Sequence, residues 1–288
     1  MIDRRGHEGH KGPIGPRPSS KEVPVLRNIA VLGLALTALV RLGSAAPAAE
    51  ALVRFDSAGP RSQAGGTAIR GYLAKPKGVG PFPAVILLHS CLGLPSNRRA
   101  IEAAVAAEGY VALFVDDFST RGLKETCAVD FPEGLSDAYG ALAYLSRLPD
   151  VDKSRIAAVG FSQGGDTALK IASSRNASAF AVPDGSAFKA AAAFYPPCSN
   201  IEGERLKLPT LILVGAADRV TPAADCERLA KTQPGAKLVV YRGASHCFDD
   251  PAFNGGRSVM GMRLEYDSEA AKRSHRDLAA FLAQKLAR

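Results

Sequence analysis

The sequence predicts an α/β fold: a mostly parallel central sheet of about eight strands with helices on both faces. Three observations predict it. From about residue 84 to the end, short apolar runs alternate with segments whose apolar residues recur at helical spacing. That is the pattern of strand–helix–strand crossovers. Two of the runs, Ala84–Leu88 and Val111–Val115, are apolar at every position, as strands buried on both faces are. Finally, 288 residues at 47% hydrophobic content can cover both faces of such a sheet. The same composition excludes a collagen, a coiled coil and a disordered chain.

Leu52–Asp56 and Thr67–Ala74 read as two early strands with a turn at Ala64-Gly65-Gly66. A Gly- and Pro-rich loop, Pro76 to Pro83, leads into the strand Ala84–Leu88. Arg98–Glu108 carries Ile101, Val105 and Ala106 at helical spacing and ends at Gly109. After the strand Val111–Val115, the helix Gly134–Arg147 puts Leu135, Ala138, Leu142 and Leu145 on one face. Arg155–Val159 is a strand, Gln163–Ser174 a helix, and Ala190–Tyr195 and Leu211–Val214 are strands. Pro222–Lys231 is a helix with proline at its start. Leu238–Tyr241 is the last strand and Glu265–Ala287 the closing helix. There is no internal repeat. Sheets of this kind carry their sites in the loops at the carboxyl ends of the strands.

Residues 1–48 read as a leader outside this fold. Ile29–Val40 is an uncharged apolar run preceded by Lys21 and Arg27 and followed by Gly43-Ser44-Ala45-Ala46-Pro47-Ala48. A basic flank, a short apolar run and an A-x-A site make a secretory signal, with cleavage after Ala48. The run is too short to span about 30 Å of hydrocarbon. The expectation is an exported chain, periplasmic or secreted, whose residues 49–288 form one catalytic domain without a stable membrane anchor. Half of the formal charge of +8 belongs to the leader, and the other half is scattered. No basic stripe remains for a nucleic-acid partner. His7 and His10 also lie in the leader and lack a third ligand, so no metal is expected.

Gly160-Phe161-Ser162-Gln163-Gly164 is G-x-S-x-G between a strand and a helix, the setting of a nucleophile elbow. A serine nucleophile needs a base, and the base an orienting acid. In this architecture they come in the order Ser, Asp, His. His89 precedes the serine, and His275 lies within the closing helix. His246, in the loop after the last strand, is the histidine in the right place. Asp218, in the loop after Leu211–Val214, is the matching acid. Asp225 sits in the next helix as a solvated carboxylate, and Asp249 and Asp250 come after His246. The oxyanion donors are expected to be the backbone N–H groups of Cys91 and Gln163. His89 is assigned to packing and bonding the loop that carries Cys91.

Four segments together resemble the dienelactone hydrolase family. They are Val-Ile-Leu-Leu-His-Ser-Cys-Leu-Gly-Leu (85–94), Gly-Phe-Ser-Gln-Gly-Gly (160–165), Leu-Val-Gly-Ala-Ala-Asp (213–218) and Gly-Ala-Ser-His-Cys-Phe (243–248). The resemblance runs from about Ala84 to Leu286. It implies the α/β-hydrolase fold, a single-domain ester or lactone hydrolase, and no cofactor. Two positions depart from the dienelactone enzymes, which use a cysteine nucleophile where Ser162 stands and a glutamate where Ser90 stands. Both departures point away from dienelactone itself as the substrate. Arg121 is near where the family can carry a substrate-carboxylate contact, and Phe161 beside the nucleophile is a second candidate for substrate contact.

The family fold makes neighbours of the loops holding Cys91 and Cys127, and of the strand ends flanked by Cys198 and Cys226. The expectation is therefore two disulfides, Cys91–Cys127 and Cys198–Cys226, with Cys247 a buried thiol beside His246. Export makes disulfides plausible. The loops Phe118–Glu133 and Phe248–Met262 are expected to select the substrate. The reading is a monomeric serine hydrolase of small-molecule esters or lactones. The alternatives are a peptidase or acyltransferase on the same residues, or a non-catalytic envelope protein retaining the fold.

Overall fold

The computed structural model describes Gly15 and residues 50–59, 66–173, 179–180, 182–183 and 185–287. The chain divides into Met1–Ala45 and Ala46–Arg288, and the strands and helices of the described residues all belong to the second unit. The expected signal lies outside the described residues, as does most of the Ala64-Gly65-Gly66 turn.

The strands are β1 (Glu50–Asp56), β2 (Ala68–Ala74), β3 (Phe82–Leu88), β4 (Val111–Asp116), β5 (Val151–Phe161), β6 (Phe188–Phe194), β7 (Thr210–Gly215) and β8 (Ala236–Tyr241). They form an eight-stranded sheet in the order β1-β2-β4-β3-β5-β6-β7-β8. β1 pairs with β2 and β2 with β4 antiparallel, and every pairing from β4 to β8 is parallel. The stretches Ala84–Leu88, Val111–Val115, Ile156–Phe161 and Ala190–Phe194 of the central strands are buried and carry no charged side chain, because both faces are covered.

Side chains alternate between the faces and divide the core. Val85, Leu87, Phe114, Val159, Phe161 and Phe194 face the helices α1 (Arg98–Ala107) and α5 (Ser268–Lys285), which contribute Val105, Leu278, Phe281 and Leu282. Ile86, Leu113, Ile156 and Ala158 face α2 (Glu133–Leu145) through Ala138, Leu142 and Leu145. The same face, further along, meets α3 (Gln163–Ala172) and α4 (Ala223–Thr232) at Leu169, Cys226 and Leu229.

Local chemistry sets the helix ends. The Asp267 side chain accepts from the N–H groups of Glu269 and Ala270 and starts α5, as an N-cap residue does. Gly109 takes the left-handed φ of 91° just past the end of α1. A two-stranded hairpin, β9 (Arg257–Val259) and β10 (Met262–Leu264), precedes α5. The sequence predicts no strand there.

Candidate active site

The turn after β5 has little freedom. Ser162 takes φ 52° and ψ −110°, a conformation that costs an L-residue energy and persists only where the surroundings enforce it. Its N–H donates to the Phe194 carbonyl on β6 at 2.9 Å, and its carbonyl accepts from Asp166 N–H at 2.9 Å. The flanking glycines permit the crowding. A Cβ on Gly160 would lie 1.9 Å from the Gly164 oxygen, and one on Gly164 would lie 2.2 Å from the Leu88 oxygen. Only hydrogen fits at either position.

Ser162 Oγ lies 2.9 Å from His246 Nε2, and His246 Nδ1 lies 2.7 Å from Asp218 Oδ2. All three side chains are buried. The loop after β7 fixes the acid. Asp218 Oδ1 accepts from the N–H groups of Val220 (2.8 Å) and Thr221 (2.9 Å), and the Thr221 hydroxyl lies 2.9 Å from Oδ2. Burial pushes the Asp218 carboxyl up, but its hydrogen bond and charge pairing with His246, with the two backbone donors, outweigh burial and hold it below its ordinary value. The hairpin braces the base: Leu264 bridges to His246, whose carbonyl accepts from Glu265 N–H at 3.3 Å.

Ser162 and His246 open into a cleft of about 210 Å³ that Cys91 and Gln163 also line. Neither the Cys91 N–H nor the Gln163 N–H has an acceptor among the described residues. The disulfide Cys91–Cys127 closes one wall. Beside it Thr126 donates its N–H to the Cys91 carbonyl and its hydroxyl to Gln163 Oε1, both at 2.9 Å. The disulfide Cys198–Cys226 ties the turn before Asn200, a second wall residue, to α4. Behind the cleft, His89 Nδ1 donates to the Ser90 carbonyl at 2.7 Å and Nε2 lies 2.6 Å from Asp117 Oδ1. Its ring stands edge-on to Phe118. Burial lowers the His89 pKa, but Asp117 and the Ser90 carbonyl outweigh it and the net direction is up.

Residues 69–286 match the model of the dienelactone hydrolase family. The chain belongs to the dienelactone hydrolase family. A Synechocystis sp. protein assigned as a carboxymethylenebutenolidase is 29% identical over 70% of this chain and 86% of its own length. A Bradyrhizobium sp. protein assigned as a 2-oxo-3-(5-oxofuran-2-ylidene)propanoate lactonase is 27% identical over 62% of this chain and 78% of its own. The structure of a dienelactone hydrolase from Anabaena variabilis superposes with a TM-score of 0.57, at 20% identity, over 84% of this chain and all of that one. That likeness speaks to the α/β-hydrolase fold alone.

Two residues expected to contact substrate lie outside the cleft at Ser162. Arg121 does not line the cleft. Its guanidinium makes paired bonds to Asp137 at 2.8 and 3.0 Å and donates to the Asp117 carbonyl at 2.6 Å. A cation with so many buried acceptors is committed to the fold. Phe161 is absent from the cleft at Ser162: as the last residue of β5 its side chain falls on the α1/α5 face, where it packs on Phe114, Phe194 and Tyr195 and borders two further cavities. Cys247 is a buried free thiol, as expected. Asp225 pairs with Arg228 at 2.6 Å, away from the cleft. Of the two loops expected to select substrate, the first supplies Thr126, Val129 and Phe131 to the cleft and the second supplies Met262.

Sequence reasoning missed Thr221, Thr126 and the pair Tyr195–Asp249. The Tyr195 hydroxyl donates to Asp249 Oδ1 at 2.7 Å, and its ring centroid is 4.7 Å from that of His246. Burial pushes the Asp249 carboxyl up to about 6 against the opposing hydrogen bond from Tyr195. A signal existed for Tyr195, at the carboxyl end of a parallel strand, where sites gather. Thr221 stands three residues after Asp218 at a helix start. Nothing local marks Thr126.

Among the described residues, no helix is long and apolar enough to cross a membrane, and no group of three His, Cys, Asp or Glu could hold a metal.

Proposed function

We propose that the chain is a serine hydrolase that cleaves a carboxylic ester or lactone through Ser162, His246 and Asp218. The observation that carries the reading is the continuous relay of 2.9 Å and 2.7 Å from Ser162 Oγ through His246 to Asp218, on a backbone turn that exposes the serine oxygen to a cleft. His246 Nε2 takes the Ser162 proton as Oγ attacks the carbonyl carbon. Asp218 holds the Nδ1 proton and stabilises the imidazolium without taking the proton itself. The N–H groups of Cys91 and Gln163 receive the developing oxyanion, and the latter stands at the start of α3, where the helix dipole favours negative charge. His246 then protonates the leaving alcohol, and water hydrolyses the acyl-enzyme by the reverse roles. No step calls for a cofactor.

Kinetics on p-nitrophenyl esters, simple lactones and peptide p-nitroanilides test this. Turnover of esters or lactones, abolished in Ser162→Ala, is the expected result. Cleavage of the anilides with no turnover of any ester or lactone would overturn it.

We further propose export. The two disulfides suit an oxidising compartment, and the basic flank, apolar run and Ala46-Pro47-Ala48 fit a cleaved signal that leaves residues 49–288 as the catalytic domain. The intact mass of the exported protein should correspond to a chain beginning at Ala49; a mass retaining residue 1 would contradict it.

A further inference from the structure

The active-site cleft adjoins further space beyond Ser162. It shares Ser90, Leu92 and Cys247 with a second cavity of about 190 Å³ behind the loop that carries Cys91. That cavity shares Asn97, Ile101 and Phe161 with a third, of about 290 Å³, between α1 and α5. The sequence explains the third space. α1 presents Ala100 and Ala104 and α5 presents Ala279 along the groove, where bulkier residues would close two helices against each other. Its floor is the apolar sheet face at Leu87, Phe161 and Phe194. Ala100, Ala104 and His275 reach solvent, so the groove meets the surface. In the middle cavity the charged groups are occupied. Asp249 accepts from Tyr195, Asp250 from Ala252 N–H, and His89 is held by Asp117 and the Ser90 carbonyl. What remains along the path is chiefly apolar surface, with the Asn97 side chain as the polar group where the second and third cavities meet.

We propose that this row of cavities is an acyl site, and that the substrate is an ester with an apolar, medium-length acyl chain. The chain would run from Ser162 past Leu92 and Ile101 into the space between α1 and α5. The inference rests on the hydrolase reading and adds the substrate class. Chemistry decides which half of the ester goes inward. When Ser162 Oγ bonds to the carbonyl carbon, the ester C–O bond breaks and the proton passes through His246 to the departing alcohol. The alcohol must reach solvent, so it belongs at the open cleft. The acyl group stays bonded to Ser162 until water releases it as the acid, so it takes the inward space. Leu92 and Ile101, the apolar side chains common to adjoining cavities, are the gates.

The test uses the full chain and p-nitrophenyl acetate, butyrate, octanoate and decanoate. kcat/KM should rise with chain length, with octanoate about tenfold or more above acetate, as for methylenes entering an apolar pocket. Ala104→Phe and Ala279→Phe, which block the groove, should lower the octanoate-to-acetate ratio by about tenfold. A flat chain-length profile, or a ratio unmoved by both variants, overturns the acyl site while acetate turnover keeps the hydrolase reading intact. Absence of acetate turnover together with absence of a fluorophosphonate adduct on Ser162 removes both. Should the variants fail to fold, an alkyl fluorophosphonate with a terminal diazirine answers on the unaltered chain. After photolysis the crosslink should map to residues 98–107 or 278–282. Crosslinks confined to residues 126–131 or Met262, at the cleft, would overturn the proposal.

Discussion

Thr221 joins most of the groups around the acid. Its N–H bonds Asp218 Oδ1, its hydroxyl lies 2.9 Å from Oδ2, 3.0 Å from the Tyr195 carbonyl and 3.2 Å from His246 Nδ1. It touches no substrate and acts by positioning. Thr221→Val keeps the shape and removes a hydrogen bond to a charged group, worth about 1.5 kcal/mol. On the proposed mechanism kcat should fall about tenfold with KM little changed. An unchanged kcat would show that the hydroxyl does not orient Asp218. Gly164 gives a second prediction. Its Ala variant would push a Cβ against the Leu88 backbone oxygen, so a urea melt should read a loss of about 1–3 kcal/mol; an unaltered midpoint would contradict the crowding. Ser162, His246 and Asp218 were legible because strand–turn–helix context and chain order constrain them. Thr221 was not, since its role depends on where a side chain lands rather than on a motif.

At the scale of elements, two cross-links hold the cleft walls. Cys91–Cys127 joins residues 36 apart and Cys198–Cys226 residues 28 apart. Cys127→Ser should lower stability by about 2–4 kcal/mol in the urea midpoint, the usual value for a loop of this size. It should also weaken esterase activity, because Thr126 would no longer be held against Cys91 and Gln163. An unchanged midpoint would refute a stabilising role. The pairing was readable only through the family arrangement, because spacing alone does not choose among partners. The strands β3 to β8 were legible as apolar runs and turn signals. The hairpin of β9 and β10 was not, because three-residue strands carry no periodicity. Arg121 was misread for a related reason: a charge in a loop looks free until the buried carboxylate of Asp137 on α2 is seen beneath it.

Across the whole molecule, buried charge sets how stability varies with pH. Burial pushes the carboxyls of Asp137 and Asp249 up to about 6 and that of Glu102 up to about 7. Each holds a proton in the fold at a pH where the unfolded chain has released it, so each makes stability fall as pH rises from about 4 to 7. His89 acts in the same direction. Its folded pKa is raised, so its contribution is complete below about 6.5 and is lost as pH climbs through the folded value. His275 opposes them near about 6.5, since partial burial lowers its pKa, but it is a solvent-exposed side chain and its effect is correspondingly small; Asp218 opposes them only as pH falls below its ordinary range near about 4. The melting temperature should therefore be higher near pH 5 than near pH 8; a flat or rising trend would contradict the assignment of these buried groups. None of this was legible in the sequence, where the formal +8 counts every carboxylate as ionised. On the proposed export, half of that charge leaves with residues 1–48. The central claim is that Ser162 is the nucleophile of the active-site cleft. Fluorophosphonate labelling, with peptide mass mapping of the product, tests it most directly. A single adduct on Ser162, absent in Ser162→Ala, is the predicted result; no adduct, or an adduct that persists in Ser162→Ala, would contradict it.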